Sequence, residues 1–306
     1  NGETIDMSKS LDQRILQLNK RYQEIYWSNE FQKKEKMKYY LNNLIHGRFN
    51  QIFEDLKFRH YAIENFTTAA NIDTQIGGNN NIKGKKIAVY SCIIGNYDNF
   101  IDPIIVDPEV DYYMFTDQEL PTDTIWNKID VTQLLEYEKY SPILLNRKIK
   151  MLPFNYLRGY DYSVYVDGNI EIVTSVLPII KNMGNAVLGV HYHSARDCIF
   201  DEVIAVRHYK RASINENYDK QLYEYEKIGF PRHFGLYENS IIVRKHKDKM
   251  LKKIMNDWWN EYNKYPTRDQ FSLPFVIWKN HYKNDVYILG NNISKNPRFN
   301  RVDKHN

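Results

Sequence analysis

Residues 163–172 read SVYVDGNIEI. An apolar, β-branched run stops at Asp167-Gly168-Asn169, and a second short apolar run follows it. An Asp-Gly pair between alternating apolar residues is a strong hairpin signal, because such turns need positive φ. The same residues support another reading. Asp167 and Asn169 are two positions apart, so strand alternation places both side-chain oxygens on one side. Gly168 between them has no Cβ to obstruct a bulky anion. Hard cations such as Mg²⁺ and Mn²⁺ take one or two protein oxygens beside the phosphates they carry. Taken alone, the stretch favours the hairpin; its surroundings shift the balance.

Short apolar runs alternate with helical patterns on either side. KIAVYSCII (86–94), DYYMFT (111–116), YSVYVD (162–167), AVLGVHY (186–192) and SIIVR (240–244) read as strands. Helical spacing covers 141–158, 199–228, 247–263 and 269–281. This alternation predicts an α/β domain with a mixed, mostly parallel sheet flanked by helices. Ligands of open parallel sheets collect beyond the carboxyl ends of the strands. The polar residues at those ends are therefore the candidates: Gly95-Asn96-Tyr97-Asp98, Thr116-Asp117, Asp167-Gly168-Asn169 and His191-Tyr192-His193. Asp167 ends what should be a central strand, and a turn there can itself hold the two oxygens in place.

The chain before residue 70 has a different period. Leu11, Ile15, Leu18, Tyr22 and Ile25 form one helical stripe, and Leu41, Ile45, Phe49, Ile52 and Leu56 form a second. The pattern predicts a helical hairpin over 1–70, its stripes packed on each other or on the next domain. A Gly/Asn-rich linker follows at 71–85, and then the α/β domain at 86–306. The 42 basic and 38 acidic residues are intermixed and give a net charge of +4, with no basic stripe to suit nucleic acid. No run of 18 apolar residues is present to cross a bilayer. Cys92 and Cys198 make no disulfide framework or Cys-x-x-Cys pattern, which points to a reducing, cytosolic compartment. The first residue, Asn1, suggests a piece of a longer chain.

VYSCIIGNYD, YYMFTD, YVDGNI, HSARDCIFDE, GFPRHFGLYENSIIVRKH and WWNEYNKYPTRDQFS occur in that order over residues 86–282. Together they resemble a GT-A-type glycosyltransferase. More specifically, they resemble the glycosyltransferase-like family known from plant mucilage and bacterial polysaccharide loci, also called domain of unknown function 616. The resemblance implies that Asp167 and Asn169 stand in the Asp-x-Asp position and hold Mn²⁺ or Mg²⁺ against a donor diphosphate. A late His completes such sites, and His305 falls there, with His281 and His246 as rivals. Gly95, Tyr97 and Asp117 would lie at the donor base and ribose, Arg147 and Lys150 on a helix beside the phosphates or sugar, and Gly168 at the turn. Gly235 and Glu238 would border the approach of the acceptor, with Glu238 facing the cleft. His193 and Arg196 would meet donor or acceptor hydroxyls.

TRDQFS (267–272) carries the chemistry in this reading. Thr267 or Asp269 can cap the following helix. By the resemblance, Asp269 lies beside the sugar's reacting carbon with Gln270 as its neighbour. It is a base in an inverting enzyme and a stabiliser of positive charge in a retaining one, and the Asp-Gln pair leans to retention. One of Trp258 and Trp259 belongs in the core; the other can stack on an acceptor sugar, but core packing of both is the favoured reading.

The expectation is a metal-dependent transferase at the cytosolic face of a membrane, soluble or peripherally attached. It would move a sugar from a nucleotide-sugar, a UDP-sugar foremost, to a surface polysaccharide or lipid-linked saccharide. The helical segment would serve oligomerisation, docking or a joint to a further domain. Two alternatives stand beside it. Asn169 in place of a second carboxylate suits a non-catalytic nucleotide- or carbohydrate-binding module. A lipid-amide hydrolase is the other, although no Gly-x-Ser-x-Gly or His-Glu-x-x-His signature is present.

Overall fold

Strand β1 (Ile87–Ile93) is buried along its whole length. Ala88, Tyr90 and Cys92 enter the apolar layer on one face of the sheet, and Ile87, Val89 and Ile93 enter the layer on the other. An unbroken apolar run is what a strand covered on both faces requires. The structure, a computed structural model, describes residues 29–65, 79–208, 216–290, 292–293 and 296–302.

Around β1 stand β2 (Val110–Thr116), β3 (Asn127–Asp130), β4 (Tyr162–Val166), β6 (Leu188–Tyr192), β7 (Tyr237–Lys245) and β8 (Val286–Gly290). The sheet order is β3-β2-β1-β4-β7-β6-β8. β7 runs antiparallel to both neighbours, and every other pairing is parallel. The mixed, mostly parallel α/β sheet predicted from the sequence is thus the one observed. The chain leaves β1 outward to β2 and β3, then returns on β1's other side as β4. That reversal puts a switch-point crevice between the carboxyl ends of β1 and β4.

Helix α3 (Pro142–Met151) lines this crevice through Pro142, Ile143, Asn146 and Arg147. Ser141 caps it by accepting from Leu144 N at 3.3 Å, and Pro142 follows at the first helical position, which lacks an N–H partner in any case. α7 (Lys249–Lys264) and α8 (Asp269–Lys279) bury Leu251, Ile254, Met255, Trp258, Leu273 and Val276 against the same face. α4 (Leu177–Lys181) covers the other. α5 (Ile199–His208) and α6 (Glu216–Ile228) pack with α8 through Phe200, Tyr225, Phe271 and Phe275. These two helices replace the single span expected over 199–228; the residues between them lie outside those described.

Several expectations are corrected. The hairpin at Asp167 does not form. Both edges of β4 are taken, by β1 and β7, so β5 (Ile170–Ile172) has no strand of its own turn to pair with. It pairs instead with β9 (Phe299–Arg301) in a separate two-stranded sheet. Asp167–Ile170 is a turn closed by Ile170 N to Asp167 O at 3.0 Å, and it passes the chain from one sheet to the other. Gly168 does not have positive φ. Trp258 and Trp259 are both buried, the core packing the sequence favours for the pair, so the stacking alternative falls away. Trp258 Nε1 donates to the Asp269 carbonyl at 3.2 Å and helps fix the start of α8. Neither Thr267 nor Asp269 caps α8: Arg268 occupies the cap position, and Thr267 Oγ1 donates to Gln221 Oε1 instead.

Helices α1 (Asn29–Ile45) and α2 (Phe49–Asn65) precede the sheet. The Leu41-to-Leu56 stripe is not a buried seam among the described residues: Leu41, Ile45, Phe49 and Leu56 are exposed. Gly47, at φ 64°, breaks the helix and with it the phase of the pattern. The inward residues are Asn43, Asp55 and Phe58. The first stripe, Leu11 to Ile25, lies outside the described residues. Residues 79–85 lie along the domain, with Asn80 N donating to Lys181 O at 2.8 Å and Ile82 in the apolar layer.

Candidate active site

The carboxyl ends of β1 and β4 open into a cleft of about 360 Å³, lined in part by Tyr97, Asp98, Arg147, Asp167, Gly168, Asn169, Arg268 and Arg301. Arg147 and Lys150 are one helical turn apart on α3 and face the same way. Lys150, almost fully buried, puts Nζ 3.2 Å from Asp167 Oδ1 and 2.8 Å from Asp269 Oδ2. Arg147 Nε stands 3.8 Å from the same Asp269 oxygen. Burial alone would raise the Asp269 carboxyl's pKa. Lys150 and Arg147 outweigh it and hold the group well below the usual carboxylate range.

Lys150 is itself positioned from behind. Its carbonyl accepts from Tyr90 Oη at 3.0 Å and from a guanidinium nitrogen of Arg244 at 2.6 Å. Arg244 is wholly buried on the reversed strand β7, and its second nitrogen donates to Tyr90 Oη at 3.0 Å. The antiparallel strand thereby reaches under β4 and β1 to fix the end of α3. Asn146 does the same from the other side, donating to Cys92 O at 2.7 Å and accepting from Arg147 at 2.7 Å.

Gly168 is needed for close approach. A Cβ there would stand 2.9 Å from both Asp98 Oδ2 and Ile93 Cγ1. Asn169, nearly buried, is held by the β5–β9 sheet, with Val302 N donating to its carbonyl at 2.9 Å. His305 lies outside the described residues. His246 is placed away from the cleft, because it follows Lys245, which pairs with Tyr162 at the opposite end of β4. His281 follows the far end of α8, roughly 16 Å along the helix from Asp269.

The remaining predicted residues fall into two groups. Gly95 N donates to both oxygens of Asp117 at 3.1 Å, tying the ends of β1 and β2 together beside exposed Tyr97. The second group extends from the cleft through Arg268. Its side chain reaches Gln270 Oε1 at 2.6 Å and Glu202 Oε1 at 3.5 Å. Glu202, on α5, also takes Arg196 and stands 3.6 Å from His193 Nε2. His193 and Arg196 are thus buried around a carboxylate, away from the residues that line the cleft. Gln270 Nε2 donates to Tyr237 O at 3.3 Å. Gly235, at φ 132°, is tied by its N–H to Asp197 O. Glu238 does not line the cleft. It accepts from Ser194 Oγ at 3.4 Å, and burial raises its pKa against the pull of Arg301.

Arg268, Arg301, Asn146 and Arg244 were not assigned roles from the sequence, and Glu202 reads there as a residue starting the next helix, where it stands in the first turn of α5. Arg268 was within reach, since it adjoins Asp269 in TRDQFS. The others come together only through tertiary contacts.

The fold and the cleft define an α/β domain whose switch-point crevice is lined by three arginines and two aspartates. Residues 58–300 match the family described as TOD1/MUCI70, glycosyltransferase-like domain, and the chain belongs to it. No curated protein matches the chain. Among solved structures it is similar to the WbbM bifunctional glycosyltransferase in its apo form, at 14% identity and a TM-score of 0.43; the match covers 71% of this chain and 40% of that one. Mouse xyloside xylosyltransferase 1, apo form, is similar at 8% identity and a TM-score of 0.41, covering 67% and 85%. The galactosyltransferase LgtC, in complex with donor and acceptor sugar analogues, is similar at 12% identity and a TM-score of 0.41, covering 71% and 87%.

Proposed function

We propose that the chain moves a sugar from a nucleotide-sugar, a UDP-sugar foremost, to a hydroxyl of a saccharide or lipid-linked saccharide that becomes part of a surface glycan, working at the cytosolic face of a membrane. The meeting of Asp167, Lys150 and Asp269 at the switch point carries this reading. Arg147, Arg268 and Arg301 line the same cleft and suit the two phosphates of a nucleoside diphosphate. Asp167 and Asn169 offer an oxygen-only donor pair with one formal negative charge. That pair fits Mg²⁺ or Mn²⁺ held largely by the diphosphate itself, with His305 as a further ligand. When bound, the ion neutralises the charge that grows on the departing diphosphate.

Transfer breaks the bond from the anomeric carbon to the diphosphate oxygen and makes one to the acceptor oxygen. A carboxylate held between two cations is a poor proton acceptor. Asp269 therefore suits stabilisation of positive charge on the sugar better than proton abstraction. The acceptor's proton then passes to the leaving diphosphate, and the anomeric configuration is retained. Gln270 adjoins the reacting sugar. Gly95, Tyr97 and Asp117 hold the nucleoside end. His193 and Arg196 act at one remove, setting Arg268 through Glu202.

The test is nucleotide release from a panel of nucleotide-sugars with Mn²⁺, together with the thermal shift given by UDP in metal and in chelator. Asp269→Asn should lower transfer about 100-fold or more while donor affinity changes far less. Equal transfer by that variant removes Asp269 from the chemistry. A UDP shift that is the same in chelator removes Asp167 and Asn169 as metal ligands. Binding of UDP without release from any donor would favour a non-catalytic module, the alternative to which Asn169 lends weight.

A further inference from the structure

Away from the cleft, three different ligand types meet. The sulfur of Cys198, a carboxylate oxygen of Asp201 and an imidazole nitrogen of His233 all lie within 4.8 Å of one another. Cys198 immediately precedes α5, and Asp201 is three residues on, in its first turn, so both point from one side of the helix start. His233 arrives from the loop before β7. Its backbone sits in the left-handed region at φ 59°, a conformation a non-glycine residue adopts at some cost.

Two further observations point to a ligand here. Asp201 is 7% exposed, and its Oδ2 has no hydrogen-bond partner among the described residues, although buried carboxylate oxygens ordinarily have one. Burial accordingly raises its pKa, since nothing nearby fully compensates the charge. The His233 ring is also already oriented: Nδ1 lies 2.8 Å from Asp197 Oδ1. A histidine steered through one ring nitrogen by a carboxylate is the usual support of a metal-bound imidazole.

We propose that Cys198, Asp201 and His233 form a metal site separate from the diphosphate cleft, and that it takes Zn²⁺. A thiolate, an imidazole and a carboxylate suit a borderline ion of tetrahedral preference; the hard ions that suit Asp167 and Asn169 do not favour sulfur. Thiolate and carboxylate together balance the charge of Zn²⁺, and binding releases the thiol proton to solvent. Three protein ligands leave the fourth position to water. The site joins the 231–235 loop to the start of α5, and α5 carries Glu202, which holds Arg268 at the cleft. Its role is to fix these two segments against each other, whatever reaction the cleft performs.

The test uses the full chain, purified without a histidine tag, and reads metal directly. Zinc should be present near one equivalent by elemental analysis. Co²⁺ substituted for it should give the visible bands of a tetrahedral ion and a near-ultraviolet thiolate-to-cobalt band. Cys198→Ser should abolish the thiolate band, whereas Cys92→Ser and Asp167→Ala should leave it. His233→Ala, at an exposed side chain, provides a second variant and should remove tight zinc uptake measured against a chromophoric chelator. Asp197→Asn should weaken uptake about tenfold by releasing the ring. No stoichiometric zinc in the wild type, or a thiolate band that survives Cys198→Ser, overturns the proposal. Neither result bears on nucleotide release at the cleft.

Discussion

Asp167 and Asp269 share one buried ammonium: Lys150 Nζ lies 3.2 Å from the first and 2.8 Å from the second. The two carboxylates come from the end of a central strand and the start of a helix far along the chain, and Lys150 is the group that lets them converge. Removing one partner of a buried ion set leaves an uncompensated charge, at a cost of about 3 to 5 kcal/mol. Lys150→Met is therefore expected to lower the unfolding free energy measured in urea by that amount and to abolish transfer. In the Lys150→Met, Asp269→Asn double variant the cost should be well below the sum of the single costs, because one carboxylate no longer repels the other. Strict additivity would show that the three groups are not coupled.

Gly168 yields a separate prediction, from sterics. The turn that carries Asp167 and Asn169 runs so close to Ile93 and Asp98 that an added methyl has no room at 2.9 Å. Overpacking of this kind costs about 1 to 3 kcal/mol. Gly168→Ala should lower the melting temperature and reduce the UDP-dependent part of stability more than it reduces the rest. If both are unchanged, the turn is looser than its contacts imply and does not fix the two oxygens.

The sequence was legible where burial is two-sided and local. β1, β2 and β4 are mostly apolar runs, and their predicted limits lie within a residue or so of the observed ones. β3, NKID, and the short β9, FNR, carry few apolar residues and show no such signal. Taken alone, the Asp167 turn reads as a hairpin because a turn signal is local, while the choice of partner depends on which strand edges remain open. Asp167, Arg147, Lys150 and Asp269 could be named from motifs; their sharing of charge could not. Arg244 shows why. In SIIVRK it reads as a polar residue near a strand end, and only the fold reveals it buried against Tyr90 and the Lys150 carbonyl.

Asp269 and Glu238 should respond to pH with opposite signs. The Asp269 pKa is depressed in the fold, so its contribution to stability is present above the unfolded value, about 3.9, and is lost as pH falls toward the folded one. The stability gap between wild type and Asp269→Asn should narrow as pH drops from 6 to about 3. Burial raises the Glu238 pKa, so its contribution is present below the unfolded value, about 4.3, and is lost as pH rises through the folded one. Glu238→Gln should therefore gain on the wild type as pH rises from about 4 to 7. Urea unfolding across this range reads both. Gaps that stay constant with pH would mean that neither carboxyl is shifted.

The helical segment tests the proposed division of the chain. α2 meets the α/β domain where Phe58 stacks on His208 of α5, with ring centroids 3.8 Å apart, and where Asp55 lies 3.4 Å from the same imidazole. Tyr40 and Arg59 also bind Asp55, so this carboxylate ties α1 and α2 to each other and to α5. An aromatic contact of this size contributes about 1 kcal/mol beyond the area it covers. We propose that residues 1–70 are an accessory unit and that 71–85 join it to the domain. Yet the family match begins at residue 58, inside α2, which makes the second half of that helix the part to watch. A chain starting at residue 79 should fold, bind UDP with Mn²⁺ and melt a few degrees lower, and Phe58→Ala in the full chain should reproduce much of that shift. A truncated chain that only aggregates would show that the helices cover a surface the domain cannot leave open. One that folds but loses UDP binding would place part of the donor site in α2.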